Sequence, residues 1–204
     1  MSYNKRLETF PVLETQRLVL RELRPEDAAI LFRFYSDEEV MRYYDTPMNR
    51  LEQVQRSIAA HRSRFENNEA IRWGITIKGT NDVVGNCGFY RDSYSQFATL
   101  SYVLARPYWG KGLMTEALKA IITFGFDHYS LHRIEARVAV PNLASQRVLQ
   151  KLGFKKEGFL RERFYENNHF HDEWVFALLK SDREAVTRHI NSLNSVAPNK
   201  EEDR

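Results

Sequence analysis

The chain has a single cysteine, Cys87, among its 204 residues, so no intramolecular disulfide can form, a condition that suits a reducing compartment. It has no apolar run that approaches the ~20 residues of a membrane span; the longest, near residues 120–126, falls far short. Nor does its opening, Met1-Ser2-Tyr3-Asn4-Lys5-Arg6, lead into an apolar stretch of the about 7–15 residues that a signal peptide carries. Lys and Arg (30) barely outnumber Asp and Glu (27), and they gather nowhere into a stripe that could track phosphates, which argues against nucleic-acid binding as the main function. No internal repeat is visible. The expectation is a cytoplasmic protein without membrane association.

What is present fits one folded domain. Hydrophobic residues make up 43% and charged residues 28%, with 13 Phe and 10 Tyr. A chain of this length buries about 70 per cent of its unfolded surface, so it can fold alone. The domain is placed at residues 1–180, followed by an extension, 181–204, whose charged end at 198–204 reads as a solvated, disordered tail.

Residues 17–23 alternate as a half-buried strand, and Pro25-Glu26-Asp27 then opens a helix with Ala28, Leu31, Phe32 and Tyr35 on one face. A second helix is expected over residues 51–66, with Val54, Ile58 and Phe65 on one stripe; the segment between them, Met41 to Pro47, has no clear period. Strands follow at 73–78 and 83–90, joined by the turn Gly79-Thr80-Asn81-Asp82, and at 98–104. Gly85-Asn86-Cys87-Gly88-Phe89 reads as strand, so Cys87 is expected to pack inertly. In the strand at 134–140, Ile134, Ala136, Val138 and Val140 alternate with Glu135, Arg137 and Ala139, a charged face that must meet solvent, a cleft or a partner charge. Residues 154–179 hold two more strands with a turn near Glu166-Asn167-Asn168.

The most informative stretch is Arg106-Pro107-Tyr108-Trp109-Gly110-Lys111-Gly112-Leu113-Met114-Thr115-Glu116-Ala117, which joins an apolar strand to a helix carrying Met114, Ala117, Leu118, Ile121 and Gly125 at helical spacing. Without Cβ atoms at 110 and 112 the backbone can turn sharply and approach a ligand closely, while the free N–H groups and partial positive charge of the helix start favour a phosphate. A tight turn that uses glycine only for geometry is the alternative.

A second strand-to-helix junction lies thirty residues on, in Pro141-Asn142-Leu143-Ala144-Ser145-Gln146-Arg147-Val148-Leu149-Gln150-Lys151-Leu152-Gly153-Phe154. The glycine turn, this spacing and the run Asn-x-x-Ser-x-x-x-Leu-x-Lys-x-Gly-Phe together resemble the acetyl-CoA-dependent N-acetyltransferases of the GNAT superfamily. The match is to the Rim-type branch, whose members acetylate N-termini of ribosomal proteins. Further matching pieces are Glu14-Thr15-Gln16-Arg17-Leu18-Val19-Leu20-Arg21, Leu131-His132-Arg133-Ile134-Glu135-Ala136, Glu157-Gly158-Phe159-Leu160-Arg161 and His171-Asp172, so the resemblance runs from about residue 13 to 180. It implies an α/β GNAT fold: a mixed, mostly antiparallel sheet of about seven strands with flanking helices and a splayed strand pair forming the CoA site. The implied acceptor is a primary amine, first a protein N-terminus and second a small amine such as a polyamine, amino acid or aminoglycoside. A non-catalytic acyl-CoA-binding regulator is a third reading, and the protein would act as monomer or homodimer.

The resemblance also assigns residues. The pantetheine of acetyl-CoA would add to the open strand edge at Val103, Leu104 and Ala105, and its pyrophosphate would rest on Gly110, Lys111, Gly112, Leu113, Met114 and Thr115. Lys111 either holds a phosphate or is simply solvated. The superfamily's usual Gln or Arg three residues before the first glycine is Pro107 here, which removes any side-chain contact from that position. Asn142 suits both a helix N-cap and a hydrogen bond to pantetheine. Many relatives place a tyrosine at the position of Leu149 to protonate the departing thiolate; in the Rim branch a serine matching Ser145 has that task, so the role moves there. The reaction is attack of a neutral amine on the thioester carbonyl, which needs a base and a stabilised oxyanion. A strand N–H near Val103 is the oxyanion candidate, and Glu135, Glu162, Glu166 and His171 are candidate bases, with Glu135 alternatively tied up by Arg137 or a neighbouring arginine. His169, His171 and Asp172 lack the further ligands of a metal site, and thioester acyl transfer has no need of a metal.

Overall fold

Apolar and polar residues alternating along the chain build one sheet of eight strands, ordered β1-β2-β3-β4-β5-β6-β8-β7, in a computed structural model that describes residues 6–92, 96–166 and 169–183. The strands are β1 (Leu13–Glu14), β2 (Leu18–Glu22), β3 (Ala70–Ile77), β4 (Val83–Asp92), β5 (Phe97–Leu104), β6 (Arg133–Ala139), β7 (Lys155–Glu166) and β8 (His169–Leu179). The helices are α1 (Ala28–Tyr35), α2 (Glu38–Met41), α3 (Leu51–Glu66), α4 (Leu113–His128) and α5 (Leu143–Lys151). The tail at 198–204, Asn167 and Asn168 of the last turn, and the side chain of Glu166 lie outside the described residues.

Every pairing is antiparallel except β5 with β6. The sheet is thus the mixed, mostly antiparallel one expected, with β1 as the strand beyond seven; two residues are too few to show a period. α2 is the other addition. Its start is held by the Asp37 carboxylate, which accepts the Glu39 N–H at 3.0 Å, and its Val40 and Met41 are buried, so a capping residue and tertiary packing sustain four residues that carry no helical period of their own.

Two apolar clusters cover the two sheet faces. On one, Ile71, Trp73, Phe89, Leu100, Ile134 and Phe176 meet α4 and Leu149 of α5. On the other, Val83 and Val103 meet α1, α2 and α3 through Leu31, Phe34, Val54 and Ile58. The stripe expected on α4, from Met114 to Gly125, is buried. Among the described residues, no helix is long and apolar enough to cross a membrane.

Candidate active site

The parallel pairing of β5 with β6 is short. Phe97, Ala98 and Thr99 lie opposite Arg133, Ile134 and Glu135, and there the register ends, while β5 continues on β4 to Leu104 and β6 continues on β8 to Ala139. Beyond Thr99 the two strands diverge, and the edge of β5 that faces β6 is left without a strand partner. An unpaired edge of this kind can take hydrogen bonds from an extended ligand.

The loop after β5 closes one end of this gap. The Trp109 indole donates to the Leu104 carbonyl at 2.6 Å, and the Ala105 N–H donates to the Val84 carbonyl at 2.8 Å, which fixes the chain as it leaves the strand. Gly110 (φ 73°) and Gly112 (φ 75°) are both left-handed, a conformation costly for residues with a Cβ. No atom lies within 4 Å of where a Cβ on Gly110 would sit, so the space above the turn is open. Gly112 is the N-cap of α4, and no side chain caps that helix, leaving its first-turn N–H groups available.

Arg17 clasps the loop from β1 and β2. Its guanidinium donates to the Lys111 carbonyl at 3.0 Å and to Glu116 at 2.7 Å, and the other Glu116 oxygen accepts from the Arg17 N–H and the Thr15 hydroxyl. Burial raises the Glu116 carboxyl, but the hydrogen bonds from Thr15 and Arg17 outweigh it and hold the group below the usual carboxylate range. The one acidic side chain in the first turn of α4 therefore points at Arg17 and is neutralised there.

Across the gap, α5 starts at Asn142, whose side-chain oxygen accepts the Ser145 N–H at 3.1 Å: the N-cap reading of Asn142 describes its geometry. The Ser145 hydroxyl lies 2.7 Å from the Tyr102 phenol of β5. Burial pushes Tyr102 up to about 12 against the opposing effect of that hydrogen bond, so the phenol keeps its proton at neutral pH. Leu149 is fully buried in the core and has no proton to give. Sequence reasoning missed Tyr102 because its alternation with Leu100 and Leu104 marks it as another apolar member of one face.

The opposite sheet face carries the charged groups. Glu135 is held by Arg133 at 2.6–2.7 Å, which also binds Glu157, so the neighbouring arginine that engages it is Arg133. Glu162 is exposed on a bulge of β7 with φ 51°, its N–H donating to Asp172 at 2.8 Å. Half-buried His171 lies beside Phe164, with ring centroids 6.3 Å apart. A residue outside the sequence candidates joins them: Glu173 of β8 pairs with Ala139 and so shares the face of Glu135 and Arg137. Burial raises its carboxyl, with Arg137 and Arg163 opposing. Its signal in the sequence was the two-residue spacing of His169, His171 and Glu173. Among the described residues, no three His, Cys, Asp or Glu come together as a metal site.

Two further features were not singled out in the sequence. Arg72 of β3 is 4% exposed and donates to Tyr44 at 2.9 Å, Asn86 at 2.7 Å and Ser101 at 2.5 Å, with Ser101 and Tyr44 partly exposed. A cleft of about 460 Å³ opens between β1 and α4, lined by Leu13, Thr15, Glu116, Lys119, Phe124 and His128; none of Tyr102, Ser145, Glu135 and Glu173 lines it.

Comparison with known proteins places this geometry. Residues 17–155 match the acetyltransferase (GNAT) domain. The uncharacterised N-acetyltransferase YoaA of Bacillus subtilis (strain 168) is 35% identical over 173 residues, 84% of this chain and 98% of that protein. The [ribosomal protein uS5]-alanine N-acetyltransferase of Escherichia coli (strain K12) is 26% identical over 180 residues, 83% of this chain and 91% of that one. The fold matches RimL, the ribosomal L7/L12 α-N-protein acetyltransferase solved with coenzyme A, with a TM-score of 0.77 at 20% identity, covering 83% of this chain and 98% of that one. The chain belongs to the GNAT family of acetyltransferases and is an N-acetyltransferase that uses acetyl-CoA.

Proposed function

We propose that the protein transfers the acetyl group of acetyl-CoA to the N-terminal α-amine of a ribosomal or other protein in the cytoplasm. The observation that carries the acceptor class is the likeness, over 83% of this chain, to an alanine N-acetyltransferase of a ribosomal protein. The buried Arg72 guanidinium weighs against the small-molecule alternatives that are polycations, polyamines and aminoglycosides, since a second positive charge beside it would be repelled in a poorly screened setting.

Acetyl-CoA supplies an activated acyl group on a thiol leaving group. The residues fit it: an uncapped helix start with two left-handed glycines receives the diphosphate at Gly110, Lys111, Gly112, Leu113, Met114 and Thr115, and the stretch Val103, Leu104 and Ala105 receives the pantetheine through Leu104, the one of the three whose N–H faces the gap, together with Asn142. Because Ala105 donates its N–H toward β4, the two-residue period of a strand turns the Val103 N–H the same way and leaves the Tyr102 and Leu104 N–H groups facing the gap, where they can stabilise an oxyanion. Ser145 gives its proton to the leaving thiolate, and the Tyr102 phenol behind it keeps the hydroxyl oriented and can resupply the proton. Glu173 is the better placed base, since burial has raised its proton affinity while the Glu135 carboxylate is engaged by Arg133; Glu162 and His171 border the same side.

The test is competition among short peptides with free N-termini, the same peptides N-terminally blocked, and free polyamines, followed by thiol release and mass spectrometry of the product. Free N-termini should be acetylated preferentially, with a rate that rises with pH toward the α-amine pKa of ~8. Preference for polyamines overturns the acceptor, and absence of thiol release with every amine, in protein that binds acetyl-CoA, favours the regulator.

A further inference from the structure

Arg72 is a charged group in a buried place, and among the described residues it has no ion-pair partner. The guanidinium is planar, cannot be deprotonated at physiological pH and carries five donors. Its hydrogen-bond acceptors are neutral: the Tyr44 phenol, the Asn86 amide oxygen and the Ser101 hydroxyl. Its other neighbour is the Tyr90 ring, 5.6 Å away, and among the described residues no carboxylate is hydrogen-bonded or ion-paired to it. Burial pushes Tyr35 up and Cys87 to about 12, so neither becomes an anion at neutral pH. A buried charge left without a counter-charge is expensive, and its retention calls for a reason.

The hydroxyls in front of it give one. An oxygen that accepts a hydrogen bond from a guanidinium keeps its own O–H to donate. Tyr44 and Ser101 are both in this position; one hydroxyl donates to the other at 3.4 Å, a long bond that a carboxylate accepting from both can replace, and both residues are partly exposed where Arg72 is not. Ser101 lies on β5 two residues past Thr99, where the pairing with β6 has ended, and its side chain is on the face opposite that of Tyr102. Tyr44 comes from the turn after α2. The mouth of the gap is therefore fitted on one side with two O–H donors polarised by a buried cation.

We propose that Tyr44, Ser101 and Arg72 form a carboxylate receptor, and that the acceptor which brings its amine to the gap also carries a carboxylate. One oxygen of that carboxylate accepts from each hydroxyl, and the charge of Arg72 stands behind both. This rests on the amine-acetyltransferase reading and narrows its substrate class to acceptors with an anionic group close to the amine, supplied either by an acidic first residue of a peptide or by the α-carboxylate of an amino acid.

The experiment uses matched acid and amide pairs on the full chain with acetyl-CoA. For turnover the pairs are Asp-Ala-amide with Asn-Ala-amide, and alanine with alaninamide; for binding, measured by calorimetry, they are the N-acetylated forms of the same compounds. The acid should exceed its amide at least tenfold in kcat/KM and in affinity in one of the two pairs, and the pair that responds identifies the source of the carboxylate. The double variant Tyr44→Phe/Ser101→Ala, which leaves the buried charge untouched, should bring acid and amide within threefold of each other. Equal affinity of acid and amide in both pairs for the wild-type protein overturns the receptor, whether or not amines are acetylated, as does a preference that survives the double variant. Tighter binding of the acid that depends on Tyr44 and Ser101, with no N-terminal amine acetylated, keeps the receptor and overturns the N-terminal acceptor reading instead.

Discussion

Tyr102 and Ser145 meet across the opening between β5 and β6, phenol to hydroxyl at 2.7 Å, although 43 residues separate them in the chain. Leu149, where the family resemblance directs the search for a phenol on the helix, is buried in the core. A phenol is thus present at the site, but it comes from the strand and reaches the gap through a serine. Ser145→Ala is expected to lower kcat about 10- to 100-fold, the low end of general acid effects, with acetyl-CoA affinity almost intact. Tyr102→Phe should give a smaller fall in kcat in the same direction. Pre-steady-state measurement of thiol release checks both, and an unchanged chemical step in Ser145→Ala rules out its role as proton donor.

Gly112 adopts a left-handed conformation at the start of α4, and Gly110 precedes it in the same conformation. Gly112→Val brings a β-branched side chain to the place proposed for close approach of the backbone to a diphosphate. The dissociation constant for acetyl-CoA is expected to rise at least tenfold, which is about 1.4 kcal/mol. The left-handed strain should cost the fold a further ~1–2 kcal/mol. Calorimetry on the folded variant decides, with near-normal affinity arguing against a diphosphate at this loop.

Leu149 has no exposed surface and sits in the cluster between α5 and the sheet. Leu149→Ala is therefore expected to destabilise by about 2–5 kcal/mol through cavity formation, while the acetyl-CoA dissociation constant of the folded fraction stays close to the wild-type value. Urea unfolding beside ligand titration separates the two effects.

His61 of α3 is a group through which stability should depend on pH between about 5 and 7. Burial, with the positive charges of Arg72 and Arg64 adding to it, lowers its pKa to about 3. In the unfolded chain it titrates near the ordinary ~6.5, so between these values the unfolded state binds the extra proton and folding opposes it. The contribution is absent above about pH 6.5 and grows as a penalty when pH falls toward 3, at up to ~1.4 kcal/mol per pH unit. Urea unfolding at pH 7 and pH 5 should show a larger loss in the wild-type protein than in His61→Gln. Equal losses would show that His61 is not the group responsible.

The parts of the site that were legible in the sequence are those encoded locally. Two glycines between an alternating strand and an amphipathic helix announced the loop, and Asn142 ahead of a helical period announced its cap. Tyr102 and Arg72 were not legible, for a common physical reason: each owes its significance to partners far along the chain. Tyr102 looks like a core residue until Ser145 is placed beside it, and Arg72, just ahead of the strand expected at residues 73–78, looks like a solvated charge until Tyr44, Asn86 and Ser101 surround it. Glu173 lay in a visible alternation, but burial, which gives it its chemistry, is not a local property. α2 and β1 are held by tertiary contacts too short to leave a period.

The clasp of Arg17 on Lys111 and Glu116 has a mechanical consequence. It ties the glycine turn to strands that lie three and four places away from β5 in the sheet, so the outer edge of the sheet serves as a tether for the loop. A load applied to β1 or β2, whether a truncation, a fused segment or a partner gripping that edge, reaches the glycine turn through Thr15 and Arg17, the guanidinium alone holding the Lys111 carbonyl. The position of that turn therefore depends on a remote edge of the sheet as well as on the residues that line the gap.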